Sequence, residues 1–247
     1  MLSARFYGLK TLAGACRGVA EASQVPICLH LDHCDEVGFC KAAADAGFTN
    51  IMIDASKHDF EENIRQTREV AEYCHALGGI SVEGELGTVA GVEDQVKVAS
   101  NEAQLCDPAK AREFVERTGI DLFAPAIGTA HGVYKTENPK IDIPRFKLIN
   151  ELLNVPQVTV PLVIHGGTGL KEDVVRALIA AGGAKFNIST DLKYVLLDTT
   201  RDYIAGHPDE YNPGKVDKAV RAAICRRVEY FIGLCGSAGK ASSNFNS

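Results

Sequence analysis

The sequence predicts an α/β protein, a TIM (β/α)8 barrel lacking the first two strands at its N-terminus. Three observations predict it. Short apolar, β-branched runs alternate with segments of helical spacing along the whole chain. Runs of that kind belong to a parallel sheet covered on both faces. The polar and glycine-rich motifs fall just after those runs, at the strand ends where barrel active sites sit. A doubly wound sheet is the alternative, but the glycine fingerprint that usually follows its first strand is missing.

The elements follow in order. Residues 9–23 read as a helix, then VPICLHLD (25–32) as the first strand and 36–46 as a helix. TNIMID (49–54) leads into the clearest helix, 60–77, where Phe60, Ile64, Thr67, Ala71, Cys74 and Leu77 share one face. GISVEGELG (79–87) is the third strand. Asp107-Pro108 opens a helix over 107–118, an N-cap followed by proline at the first helical position. LFAPAIG (122–128), a helix over 144–153, PLVIHG (161–166), a helix over 171–181 and AKFNIS (184–189) continue the alternation, and helices over 191–205 and 215–233 end it. Six strands are two fewer than a barrel needs, and a helix already precedes the first. The expectation is one catalytic domain over 1–241, N-terminally truncated, and a disordered polar tail, SSNFNS (242–247).

Composition narrows the function. The net charge of −6 and the lack of a basic stretch with interleaved aromatics argue against nucleic-acid binding. No run of apolar residues is long enough to span a membrane, and the first residues, MLSARFYGLKTLAG, lack the apolar core of a signal peptide. The eight cysteines include no CxxC pair, so they read as reduced, buried thiols of a cytoplasmic protein.

His33, His131 and His165 each lie at the end of a strand-like run, and each is followed by loop. Three neutral imidazoles at equivalent ends of parallel strands converge, and three protein ligands with open positions describe a catalytic zinc centre better than a structural one. The bland alternative is three core histidines bonded to backbone. His30, His58, His75 and His207 lack this setting and read as structural or surface, with His30 the nearest rival. Asp32 stands directly before His33, placed to handle a proton beside the metal. Asp54 ends the strand IMID. Glu83 and Glu85 alternate on VEGELG and so share a side, where they bind a second metal or brace the histidines. Glu93, after the GTVAG loop, is either a mobile proton carrier or a solvated loop glutamate. HGGTG (165–169) and NISTD (187–191) each precede a helix and offer free N–H groups and hydroxyls, the make-up of a phosphate site.

Taken in order, LHLDH, IMIDAS, SVEGELG, AIGTAHGVY, VIHGGTG, KFNISTD and CGSAGKA resemble the class II, zinc-dependent ketose-bisphosphate aldolases, over residues 5–241. That family includes fructose- and tagatose-bisphosphate aldolases. The resemblance implies a lyase of carbohydrate metabolism and glycolysis. It would cleave a ketose 1,6-bisphosphate reversibly to dihydroxyacetone phosphate and glyceraldehyde 3-phosphate through a zinc-stabilised enediolate. It implies Asp32 as acid/base, His33, His131 and His165 as zinc ligands, and Asp54 and Glu85 as an alternative metal position that could take a second divalent or monovalent cation. It makes Glu93 the mobile-loop acid that exchanges the carbon-bound proton. Gly132, Gly166, Gly167, Thr168, Asn187, Ile188, Ser189 and Thr190 would hold the phosphorylated substrate, and Lys135 lies near a further phosphate contact. Gly167 and Thr168 stand where the family often has Ala and Ser. A homo-oligomer, dimer or tetramer, is implied. The family's two upstream βα units, with a strand-end asparagine and a phosphate-binding serine, have no counterpart in this sequence. A relic that binds metal or phosphosugar without cleavage, and a barrel zinc hydrolase, stay open as alternatives.

Overall fold

The computed structural model describes residues 2–93, 96–98, 104–132, 134, 139–155 and 159–241. Lys135 and the tail at 242–247 lie outside the described residues. The described strands are, in chain order, β1 (His30–Cys34), β2 (Asn50–Ile53), β3 (Ser81–Leu86), β4 (Ala90–Glu93), β5 (Val96–Val98), β6 (Leu122–Pro125), β7 (Ala130–His131), β8 (Leu162–Ile164) and β9 (Gly183–Phe186). The helices are α1 (Leu2–Tyr7), α2 (Leu9–Glu21), α3 (Val37–Ala46), α4 (Phe60–Leu77), α5 (Pro108–Thr118), α6 (Ile143–Leu153), α7 (Glu172–Ala180), α8 (Thr190–Gly206) and α9 (Pro213–Leu234).

The main sheet has six strands in the order β1-β2-β3-β6-β8-β9, and every neighbouring pair is parallel. This is part of a barrel wall. Strands β1 and β9 lie at its two ends in the strand order, yet their side chains meet: Asn187, just past β9, donates to Asp32 on β1 at 3.1 Å.

Alternation along the strands separates two environments. Leu31, Ile51, Ile53, Val82, Phe123, Leu162 and Ile164 join the main apolar cluster with helix residues such as Ile64, Val70, Phe114, Phe146 and Leu178. Burying one such side chain is worth roughly 1.5–3 kcal/mol, so this layer carries the fold. The other side holds His30, Asp32, Glu83, Glu85, His165 and Lys185 together with the apolar Met52, Ala124 and Val163. A barrel interior usually holds bulky aliphatic side chains. Here part of it is polar: β1 and β3 alternate, while Met52 of β2 and Val163 of β8 keep those two strands buried and apolar at successive positions, as read from the sequence.

Local chemistry explains the element ends. Asp59 and Asp107 cap α4 and α5, accepting from Glu62 N and Ala109 N, both at 2.9 Å. On α4, Ile64, Thr67, Ala71 and Cys74 are buried as the spacing predicts, but Leu77 is exposed, because it sits at the last turn. The first strand begins later than predicted. Backbone bonds to the neighbouring strand segment begin at Leu29, and Val25 and Ile27 stay exposed beside the sheet edge. A second sheet, β5-β4-β7, falls where the sequence reads as loop. Its strands are two to four residues long, too short for periodicity to register.

Candidate active site

His33, the next-to-last residue of β1, has φ at +44° and is the one non-glycine residue with positive φ among those described. Such a conformation costs of order 1–3 kcal/mol and clusters at functional sites. The β1–β2 register shifts between Leu31 and Cys34. Together these break the strand's alternation, so that Asp32 and His33, adjacent in sequence, both face the strand-end cleft.

His131 arrives differently, on the short strand β7. There Gly91 of β4 pairs with it in parallel register, which lays the β4–β5 hairpin against the histidine. His165 follows β8 directly. The three rings meet at centroid distances of 4.7 Å (His33–His131), 4.7 Å (His33–His165) and 5.9 Å (His131–His165). One ligand atom from each lies within 4.8 Å of the others.

Carboxylates brace two of the rings. Asp54 Oδ2 is 2.8 Å from His33 Nδ1, and its Oδ1 accepts from Ser56 Oγ at 2.6 Å. Glu83 Oε1 is 2.8 Å from His165 Nε2. Glu85 Oε2 lies 3.1 Å from His165 Nδ1, although neither atom has a hydrogen-bond partner. Burial by itself would lower the His33 imidazole pKa, but the bond to Asp54 and the charges of Asp32 and Asp54 outweigh it and lift it to about 9. His165 is likewise disfavoured as a cation by burial, yet Glu83 and Glu85 push it well above the usual histidine value. For Asp32, burial would raise the pKa, but the His30 hydrogen bond and the nearby imidazoles hold it well below the usual carboxylate range. Glu83, also raised by burial alone, is held at about 2 by His165 and Lys185.

Beside the histidines lies a small cleft lined by His131, Gly132, Gly166, Gly167, Thr168, Asn187, Ser189 and Thr190. Two glycines keep it open, Gly166 through its backbone conformation and Gly167 through the place of the Phe186 ring. A Cβ on Gly166, whose φ is +67°, would stand 2.6 Å from Ala130 O, and one on Gly167 would stand 2.3 Å from the Phe186 ring. The start of α8 borders the cleft, and its first N–H groups are the kind that receive anions.

The candidate residues therefore divide. Asp32, His33, His131, His165, Asp54 and Glu85 converge, and the two glycine and hydroxyl loops meet beside them. Ile188 does not bring its side chain to the cleft: it packs beside Val175, Phe231 and Leu234. Glu93 is the last residue of β4, its backbone paired with Val96.

Sequence reasoning missed three residues. His30 Nε2 lies 3.2 Å from Asp32 Oδ1. Lys185 Nζ donates to Glu83 Oε2 at 2.6 Å. The Tyr134 hydroxyl donates to Gly166 O at 2.7 Å and accepts from Ala130 N at 3.0 Å, tying the GTAHG and HGGTG loops together. Period-two spacing from Asp32 and Asn187 would have found the first two. Tyr134 stands inside the quoted AIGTAHGVY motif.

A parallel barrel wall with three clustered histidines that could hold a metal ion, and a glycine-lined cleft at its strand ends, has the architecture of a barrel enzyme. A family model described as "Fructose-bisphosphate aldolase class-II" matches residues 2–240. The chain is 41% identical over 241 residues to a fructose-bisphosphate aldolase of Geobacillus stearothermophilus, covering 95% of this chain and 79% of that one. It is 37% identical to the fructose-bisphosphate aldolase of Thermus caldophilus, covering 95% and 82%. The crystal structure of the YdjI aldolase from Escherichia coli K12 matches with a TM-score of 0.79 at 34% identity, covering 95% of this chain and 78% of that one. The chain belongs to the class II fructose-bisphosphate aldolase family, and it is an aldolase, a lyase.

Proposed function

We propose that the protein cleaves a ketose 1,6-bisphosphate of the fructose or tagatose type to dihydroxyacetone phosphate and glyceraldehyde 3-phosphate, and runs the reverse condensation. The observation that carries this reading is the convergence of His33, His131 and His165 beside Asp32 and the glycine-lined cleft. The donor set fits zinc: three imidazoles, each with a ligand atom within 4.8 Å of the others. Zinc held there supplies a Lewis acid for the substrate carbonyl and its neighbouring hydroxyl, worth several kcal/mol as negative charge develops beside them.

The chain's own residues do the rest. In cleavage, Asp32 takes the proton of the C4 hydroxyl, the C3–C4 bond breaks and the aldehyde departs. The electron pair stays on C3, which Glu93 then protonates to complete dihydroxyacetone phosphate. Condensation runs the same transfers backward. The setting of Asp32 supports this role: its Oδ1 lies beside the histidines, held by His30 Nε2 at 3.2 Å and by Asn187 Nδ2 at 3.1 Å. Gly132, Gly166, Gly167, Thr168, Asn187, Ser189 and Thr190 hold the phosphorylated end, with Ile188 contributing main chain and Lys135 a further phosphate contact. Asp54 and Glu85 offer a second cation position. The reading also takes residues 1–241 as one catalytic domain, acting in the cytoplasm as a homo-oligomer. Among the described residues no helix is long and apolar enough to cross a membrane.

A coupled assay for triose phosphate tests it, with fructose and tagatose 1,6-bisphosphate as substrates. The expected result is cleavage that EDTA abolishes and Zn2+ restores. Zinc binding without cleavage, or ester hydrolysis without cleavage, would overturn it.

A further inference from the structure

Lys185 stands inside the barrel on β9, two residues before Asn187 and on the same side of the strand. Its ammonium donates to Glu83 Oε2 at 2.6 Å and lies 3.2 Å from His30 Nε2. Glu83 is completely buried, with a relative exposure of 0%. Its other oxygen, Oε1, is 2.8 Å from His165 Nε2. Both oxygens are therefore held, one by a cation and one by an imidazole. A carboxylate pinned at both ends cannot rotate about its terminal bond, and a ring bonded to it through Nε2 turns its Nδ1 away from Glu83.

We propose that Lys185 is a positioning residue for His165, acting through Glu83: it fixes the carboxylate that holds the His165 ring in the orientation it takes beside the other two histidines. The inference rests on the reading of those histidines as a zinc site. Partners one step removed from a metal typically change its affinity by about 10–100-fold when mutated. Lysine suits the position because a compact ammonium on a long stem reaches Glu83 from the far end strand. It also links β9 to β1 through His30, closing a contact between residues 155 apart in sequence.

The test measures zinc affinity of the metal-free full-length chain by chelator competition, with no substrate present. Lys185→Met should weaken zinc binding about 10–100-fold. Lys185→Arg, which keeps the charge, should recover most of that loss. With cobalt in place of zinc, Lys185→Met should shift the visible ligand-field bands. Glu83→Gln should match Lys185→Met, and the double variant should be no weaker than Glu83→Gln alone. Lys185→Met by itself leaves a buried carboxylate without its cation and is at risk of not folding. The double variant leaves no such charge, so the comparison of Glu83→Gln with Lys185→Met/Glu83→Gln stands either way. A further tenfold loss in the double variant would overturn the route through Glu83, and unchanged affinity and spectra in Lys185→Met would overturn the role. Wild-type protein without measurable zinc affinity would overturn the zinc reading itself.

Discussion

His33 and His165 are neighbours in one cluster, their ring centroids 4.7 Å apart, and are held by different physics. His165 is buried to 3% exposure and sits between two glutamates on β3, one of them backed by Lys185. Its backbone follows a strand without strain. His33 is braced by Asp54, and its backbone is forced to φ +44°. The His165 side stores its precision in a charge network. The His33 side stores it in backbone conformation, and that conformation also delivers Asp32 to the cleft. Losing a brace and losing a turn should therefore fail in different ways.

The largest effect is expected at Asp32. Asp32→Ala removes the group read as acid/base and leaves the three imidazoles and the Asp54–His33 bond in place. Turnover should fall ~10²–10⁴-fold while zinc content stays at the wild-type level. Steady-state kinetics and metal analysis on one preparation check both halves. Normal turnover would sink the assignment, and loss of zinc would show that Asp32 belongs to the His33 brace rather than to the chemistry.

Next comes the pH dependence of the metal-free protein, which reads the His33 brace directly. The folded pKa of about 9 lies above the ordinary histidine value of 6.5. The stabilisation from the His33–Asp54 pair is thus fully present below pH 6.5 and is lost as pH rises through about 9. At one and a third kcal/mol per unit, the shift corresponds to roughly 3 kcal/mol. Urea unfolding of EDTA-treated protein should weaken between those two pH values. In Asp54→Asn the slope should flatten. Zinc requires the neutral ring, so its uptake near neutral pH should release protons, measurable with an indicator dye. A metal-free stability that rises over this range would contradict the pairing.

The two sides also differ in how far they could be read from sequence. The alternation of strands and helices was plain, because each helix carries its own spacing and caps such as Asp107-Pro108. The three histidines were legible because each ends an apolar run and abuts a loop. Asp32 was legible for its place beside His33, though the positive φ that lets both face one cleft was not. The bracing network was hidden for a geometric reason. Lys185 and His30 meet only because the two end strands of the sheet come together, and no local period reports a contact across 155 residues. The charged interior was half visible in Glu83 and Glu85, but a lysine on a strand reads as solvated until its partner is known. The β5-β4-β7 sheet was invisible because it is held by loop-to-loop pairing. Ile188 shows the opposite error, since it stands inside a motif that faces the cleft while its side chain does not.

The smallest effect should come from Tyr134, which touches neither histidine brace and so isolates the cleft from the metal cluster. Its hydroxyl is the one described side-chain link between Ala130, beside His131, and Gly166, beside His165. Burial pushes the phenol up to about 12, so it stays a donor at any working pH. Tyr134→Phe keeps the ring and removes two hydrogen bonds of about 1 kcal/mol each at most. The glycine loop should then sample more positions, and the cost should fall on binding the phosphate rather than on proton transfer. A rise in KM of about 3–10-fold with kcat and zinc affinity near wild type is the expected pattern. Should kcat fall instead with KM unchanged, the hydroxyl would be setting the position of the histidines themselves, and the division between cleft and cluster would have to be redrawn.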